Sequence, residues 1–100
     1  MDKKLFAVIV TRGPSWNDEL PMDEQEDWRA HADFMNELVD EGVILLGGPL
    51  VGTRDVLLVL RAADETEVEA RLAPDIWRVK DLLCTRQITP WWLRLGSLDS

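Results

Sequence analysis

A single cysteine, a single histidine and no tyrosine stand in a chain of 100 residues. One thiol, Cys84, excludes an internal disulfide and a cysteine-based zinc cluster. At its expected place on a strand it reads as a small buried hydrophobe, in keeping with a reducing compartment. No stretch approaches the ~18 apolar residues of a membrane span. The apolar run after Met1–Lys4 is six residues, too short for the core of a signal peptide, so the cytoplasm is the expected location. Basic residues are also few: 11 against 19 acidic ones, a net charge of −8. A field of that sign repels phosphate backbones, and no Lys/Arg cluster offsets it, which argues against nucleic acid as a partner. What remains is 46% apolar and 30% charged. That composition predicts one globular domain over residues 1–96 with a short tail over 97–100.

The order of elements reads βαββαβ. Leu5–Val10 is an apolar, β-branched run and forms the first strand. Thr11–Met22 carries Gly13-Pro14, Asn17-Asp18 and Pro21, the chemistry of a loop, and its length hints at function. Asp23-x-x-Glu26 predicts a capped helix from Asp23 that ends at Gly42. Val43–Leu46 is a second strand, Gly47–Gly52 a turn, and Asp55–Arg61 a third strand. Asp64-x-x-Glu67 repeats the capping pattern and opens a shorter helix, which Pro74 stops. Asp75–Leu83 is a connector with room for one helical turn. Cys84–Ile88 is the fourth strand, extended by Pro90–Leu95. This order predicts an α+β, ferredoxin-like fold: a four-stranded antiparallel sheet with two helices on one face.

Two strands do not alternate. Leu5–Val10 and Val56–Leu60 are apolar on both faces, whereas a half-solvated antiparallel strand alternates. Helices can cover one side only. At ~25 cal/mol per Å² of apolar area, leaving the other side wet forgoes many kcal/mol. The expected partner is a second copy, packed sheet to sheet as a homodimer. The alternative is a C-terminal tail folded over that face.

His31 is the centre of any chemistry. On the long helix, Trp28, His31, Met35, Leu38 and Gly42 share one inward stripe. A lone imidazole there is either a hydrogen-bonded structural group or a proton carrier, since histidine titrates near neutrality without help. Asp75, at the end of the second helix, can reach the first half of the long helix. It then either accepts a hydrogen bond from His31, leaving the other ring nitrogen as a general base, or merely caps its own turn. Trp16, Trp28 and Trp77 either wall an apolar pocket for a flat ring or pack as ordinary core. Gly48 and Pro49 border that place, and Gly47-Gly48-Pro49 lacks the residues of a phosphate loop. Arg12 can meet an anionic or phenolate oxygen. One imidazole with scattered acids is a poor metal set, so neither a metal nor a cofactor is expected.

These motifs resemble the YciI-related family of small ferredoxin-like proteins, which usually pair into a dimeric α/β barrel. The resemblance spans nearly the whole chain. It rests on Thr11-Arg12-Gly13-Pro14-Ser15-Trp16, the His31 helix, Glu41-Gly42 into Leu46-Gly47-Gly48-Pro49-Leu50, the Asp75 segment and Ile88-Thr89-Pro90-Trp91. It implies a His–Asp pair at His31 and Asp75. The family shares its fold with muconolactone isomerase-like proteins and includes a dehydrochlorinase of a hydroxyquinol-type ring. At the second site this chain reads Asp75-Ile76-Trp77, where the family typically has Asp-Pro-Phe or Asp-Pro-Tyr. Together the residues and the resemblance point to a small-molecule pocket. One reading is a cofactor-free lyase or isomerase acting on a small cyclic or aromatic compound. Its pocket would be formed by Arg12, Trp16, Trp28, Gly48, Pro49 and Trp77. The alternative is a non-catalytic ligand-binding or accessory dimer.

Overall fold

A computed structural model describes residues 3–98; residues 1, 2, 99 and 100, which include half of the expected tail, lie outside the described residues. The elements run β1 (Lys4–Arg12), a 3₁₀ turn (Met22–Glu24), α1 (Trp28–Asp40), β2 (Ile44–Pro49), β3 (Asp55–Ala62), α2 (Glu65–Leu72), α3 (Ile76–Val79) and β4 (Leu83–Pro90). The four strands form one antiparallel sheet in the order β2-β3-β1-β4. This is an α+β arrangement with three helices, compatible with the ferredoxin-like fold. None of the helices is long and apolar enough to cross a membrane.

Alternation along the central strands explains the layers. Phe6, Val8 and Val10 of β1 and Leu58, Leu60 and Ala62 of β3 point to one face. There they join Leu38 of α1, Val68 and Leu72 of α2 and Trp77 of α3 in one buried cluster. The opposite face carries Leu5, Ala7, Ile9 and Leu57, all half-buried, and Leu46, which is 54% exposed. Val59 sits among them and is buried. The two-sided apolar character read from the strands is therefore present in the folded chain.

Several boundaries differ from the sequence reading, each for a local reason. The long helix begins at Trp28 instead of Asp23. Met22–Glu24 forms a 3₁₀ turn, and Asp27 adopts a left-handed backbone (φ 61°) that breaks any continuation into α1. The acidic cluster therefore lies in the approach to the helix, not in its first turn. The other end matches expectation. Gly42 at φ 76° donates to Val39, and Val43 donates to Leu38, the paired bonds of a Schellman stop. Gly47-Gly48-Pro49 continues β2 beside β3 rather than turning the chain. The turn itself is Leu50–Arg54, closed by bonds from Thr53 to the Leu50 carbonyl. Beyond β4, Trp91 still donates to Leu5, but the chain is irregular after that and does not extend the strand to Leu95.

The second capping pattern forms as read. The Asp64 carboxylate accepts from the Glu67 N–H at 2.8 Å, and the Glu67 carboxylate accepts from the Ala63 N–H. Hydrogen bonds from the Lys3 ammonium and then from Ala63 hold the Glu67 carboxyl below its ordinary value of 4.5. A lowered carboxyl stabilises the fold above that ordinary value and loses its effect as pH falls through the lowered one. In acid titrations of stability followed by urea unfolding, Glu67→Gln is expected to remove part of the loss that the natural chain shows below pH 4.5, leaving a shallower acid limb.

Candidate functional site

His31 and Asp75 come from elements 44 residues apart and meet in the interior. The α1 register turns His31 inward with Leu38. Pro74 ends the α2 segment, and Asp75 directly follows as the cap of α3, where its carboxylate accepts from the Trp77 N–H at 3.1 Å. The same carboxylate faces the ring of His31: Nδ1 lies 2.9 Å from each oxygen. An ionised carboxylate can only accept, so Nδ1 carries the proton and donates. Asp75 thus performs both roles that the sequence left as alternatives. His31 and Asp75 are 8% and 2% exposed. Nε2 makes no hydrogen bond to a described residue, and among the described residues no fully buried side-chain polar atom lacks a partner, so Nε2 is not sealed in the packing.

The tryptophans build the surroundings of that ring. Trp77 stacks flat on His31, with centroids 3.7 Å apart and planes 9° from parallel. Trp16 meets Trp77 edge-on at 5.3 Å, and Trp28 lies 5.8 Å from Trp77 and 6.0 Å from His31. The Trp77 indole N–H donates to the Glu26 carbonyl, which ties α3 to the approach of α1. An imidazolium over an indole face is further stabilised by the ring quadrupole. The three rings are packed on one another and on His31, and all three border one cavity.

Two residues place the loop: Gly13, read from sequence as loop chemistry, and Gln25, which the sequence reading did not name. Gly13 donates to the Leu82 carbonyl at 2.8 Å, and a Cβ there would fall 2.3 Å from the Asp81 carbonyl oxygen. Only glycine lets β1 leave the sheet this close to the α3–β4 connector, which sets Trp16 beside Trp77. Gln25, buried, accepts from the Asn17 N–H and donates to the carbonyls of Asn17 and Leu20. A lone glutamine among acidic residues gave no signal of such a role; only its three hydrogen bonds to the loop backbone reveal it.

In front of His31 lies a cavity of about 480 Å³. Every residue expected at the site borders it: Arg12, Trp16, Trp28, His31, Gly48, Pro49, Asp75 and Trp77. Its other walls are mostly apolar, from Val10, Met35, Ile44, Val56 and Leu58 among others. That size and lining suit a small organic molecule. Arg12 lays its guanidinium over Trp16, 4.6 Å from the ring centroid. Arg78 also borders the cavity and was not singled out from sequence; it donates to the Thr85 hydroxyl. Burial pushes its guanidinium down from the usual value, against the pull of Glu69, Asp75 and Cys84. A second hollow of about 580 Å³ beside β4 has neither His31 nor Asp75 in its walls. Among the described residues, no three His, Cys, Asp or Glu side chains gather as a metal site.

The arrangement defines a class of site: an apolar cavity with one oriented imidazole, a carboxylate behind it and aromatic walls. Comparison with protein-family models, curated proteins and solved structures finds no match. Removing the carboxylate leaves Nδ1–H and the Trp77 N–H without their acceptor in the interior. Asp75→Ala is accordingly expected to lower the unfolding free energy by about 1–3 kcal/mol, measured by urea unfolding at neutral pH; a change within error would contradict the pairing.

Proposed function

We propose that this chain is a small-molecule pocket protein of the YciI-related type and that it uses His31 for cofactor-free proton transfer on a small cyclic or aromatic compound. The observation that carries the reading is the His31 ring itself. Its Nδ1 is committed to Asp75 and its Nε2 is uncommitted beside an apolar cavity. In the proposed step, Nε2 takes a proton from an acidic C–H of the bound compound. The C–H electron pair is left on carbon. Returned to a second carbon, that proton completes an isomerisation. If instead a leaving group on the adjacent carbon departs with its bonding pair, the carbon pair becomes a double bond and the step is an elimination. Asp75 and the face of Trp77 stabilise the imidazolium formed in either case.

Exchange of substrate hydrogen for solvent deuterium tests this without knowledge of the natural substrate. Cyclic ketones and lactones incubated in D2O with the protein are expected to gain deuterium next to the carbonyl. His31→Gln is expected to slow that gain by about 10²–10⁴-fold, with its fold verified by circular dichroism. Equal rates in the two proteins would contradict the proposal. A compound that moves the His31 signals in NMR yet is recovered without deuterium would favour a binding or accessory module instead.

The apolar outer face of the sheet supports a homodimer as part of the same proposal. Leu5, Ala7, Ile9, Leu46 and Leu57 form a continuous patch across three strands. Leu46 is 54% exposed and the other four are half-buried, and contiguous apolar side chains at a surface mark interaction sites. Of the residues that follow β4, Trp92 and Leu95 are 77% and 87% exposed. Sedimentation at low micromolar concentration is expected to give a dimer; a stable monomer would contradict this part of the proposal.

A further inference from the structure

Several cations of this acidic chain are ion-paired, and Arg94 lies over the Trp92 ring, away from the cavity. Lys3, Arg29, Arg54, Arg71, Lys80 and Arg86 each meet a carboxylate within ion-pair distance. Arg12 and Arg78 do not: among the described residues, Arg12 contacts the Trp16 ring and Arg78 the Thr85 hydroxyl, and neither pairs with a carboxylate. Both are half-buried, and both border the His31 cavity. Arg29 borders it as well, from the exposed side of α1. Asp75 is the sole carboxylate in the same wall, and it is engaged by His31. A protein with a net charge of −8 has thus gathered positive charge around its apolar cavity.

Arg78 also borders the hollow beside β4 that holds Thr85, and it feels Glu69 and Asp75 without meeting either within ion-pair distance; a half-buried guanidinium that meets no carboxylate directly gains from an anion brought by a ligand. Stacking on Trp16 occupies the face of the Arg12 guanidinium and leaves its N–H edge for a partner. That edge matches two oxygens in one plane. The remaining walls are apolar and aromatic. We infer that the pocket selects a carboxylate borne on a flat apolar ring, with Arg12 and Arg78 as the groups that recognise the anion. The inference rests on the pocket reading above and names its ligand class. It also assigns Arg78 a binding role. A neutral ring can enter but forgoes this contact, and a cationic ring meets repulsion.

The test compares 2-naphthoate with 2-naphthamide, matched in shape and different in charge, by titration while the His31 ring signals are followed by NMR. The natural chain is expected to bind the carboxylate at least about tenfold more tightly, the scale of one charge-assisted contact. Arg12→Gln with Arg78→Gln is expected to bring the two affinities together, with the amide unaffected. Arg12→Lys with Arg78→Lys, which keeps the charge and loses the planar fork, is expected to retain only part of the preference, and Arg54→Gln, an ion-paired surface arginine, all of it. Equal affinity of the two compounds in the natural chain, both moving the His31 signals, would overturn the anion assignment and leave the pocket standing. A preference that survives the double glutamine variant in folded protein would overturn it too. Failure of both compounds to move the His31 signals at millimolar concentration would overturn the pocket and the assignment together.

Discussion

A carboxylate that cannot donate decides which nitrogen of a buried imidazole keeps its proton. Asp75 places both oxygens 2.9 Å from Nδ1 of His31, and the rest of the site follows from that contact. Because Nδ1 donates, Nε2 is the basic atom. Because the ring is pinned at one edge, Trp77 can lie flat against it. Because Asp75 also caps α3, the position of the carboxylate is fixed by backbone and not by side-chain chance. One residue therefore couples the end of α2, the short helix that follows and the inward face of α1.

The sheet gives this pair its setting. Its inner face supplies the floor of the cavity through Val10, Val56 and Leu58, and β2 passes along one border as Gly47-Gly48-Pro49. The same strands carry apolar side chains outward, which links the architecture of the pocket to the proposed pairing of two copies. Rigid elements thus hold the imidazole, Arg12 at the end of β1 borders the same space, and the loop after it, fastened by Gly13 and Gln25, adds Trp16 to the wall. A loop of this length without those anchors would leave the aromatic wall undefined.

Much of this was legible in the sequence because periodicity is a strong signal. The inward stripe of α1, the apolar faces of β1 and β3 and the Asp64–Glu67 cap all follow from spacing. The eight residues expected around one site do border one cavity. What spacing does not encode is backbone detail set by distant contacts. The left-handed Asp27 delays α1 past its acidic approach, and pairing with β3 draws Gly47–Pro49 into a strand despite turn-forming residues. Arg78 was invisible for a similar reason. Its significance lies in bordering the cavity while half-buried, and that is a property of the folded chain. Motif order supported a resemblance to one family, and the structure is compatible with the fold that resemblance implies.

The central claim concerns a single proton, and the chain contains a single histidine, so its ring can be observed without assignment. Long-range nitrogen–proton correlation spectra of the nitrogen-15-labelled protein, recorded under conditions where the ring is neutral, report which nitrogen bears hydrogen. The account requires the proton on Nδ1 and a bare Nε2, with that preference lost in Asp75→Asn. A neutral ring protonated on Nε2 in the natural chain would mean that Asp75 does not orient it and that no base faces the cavity.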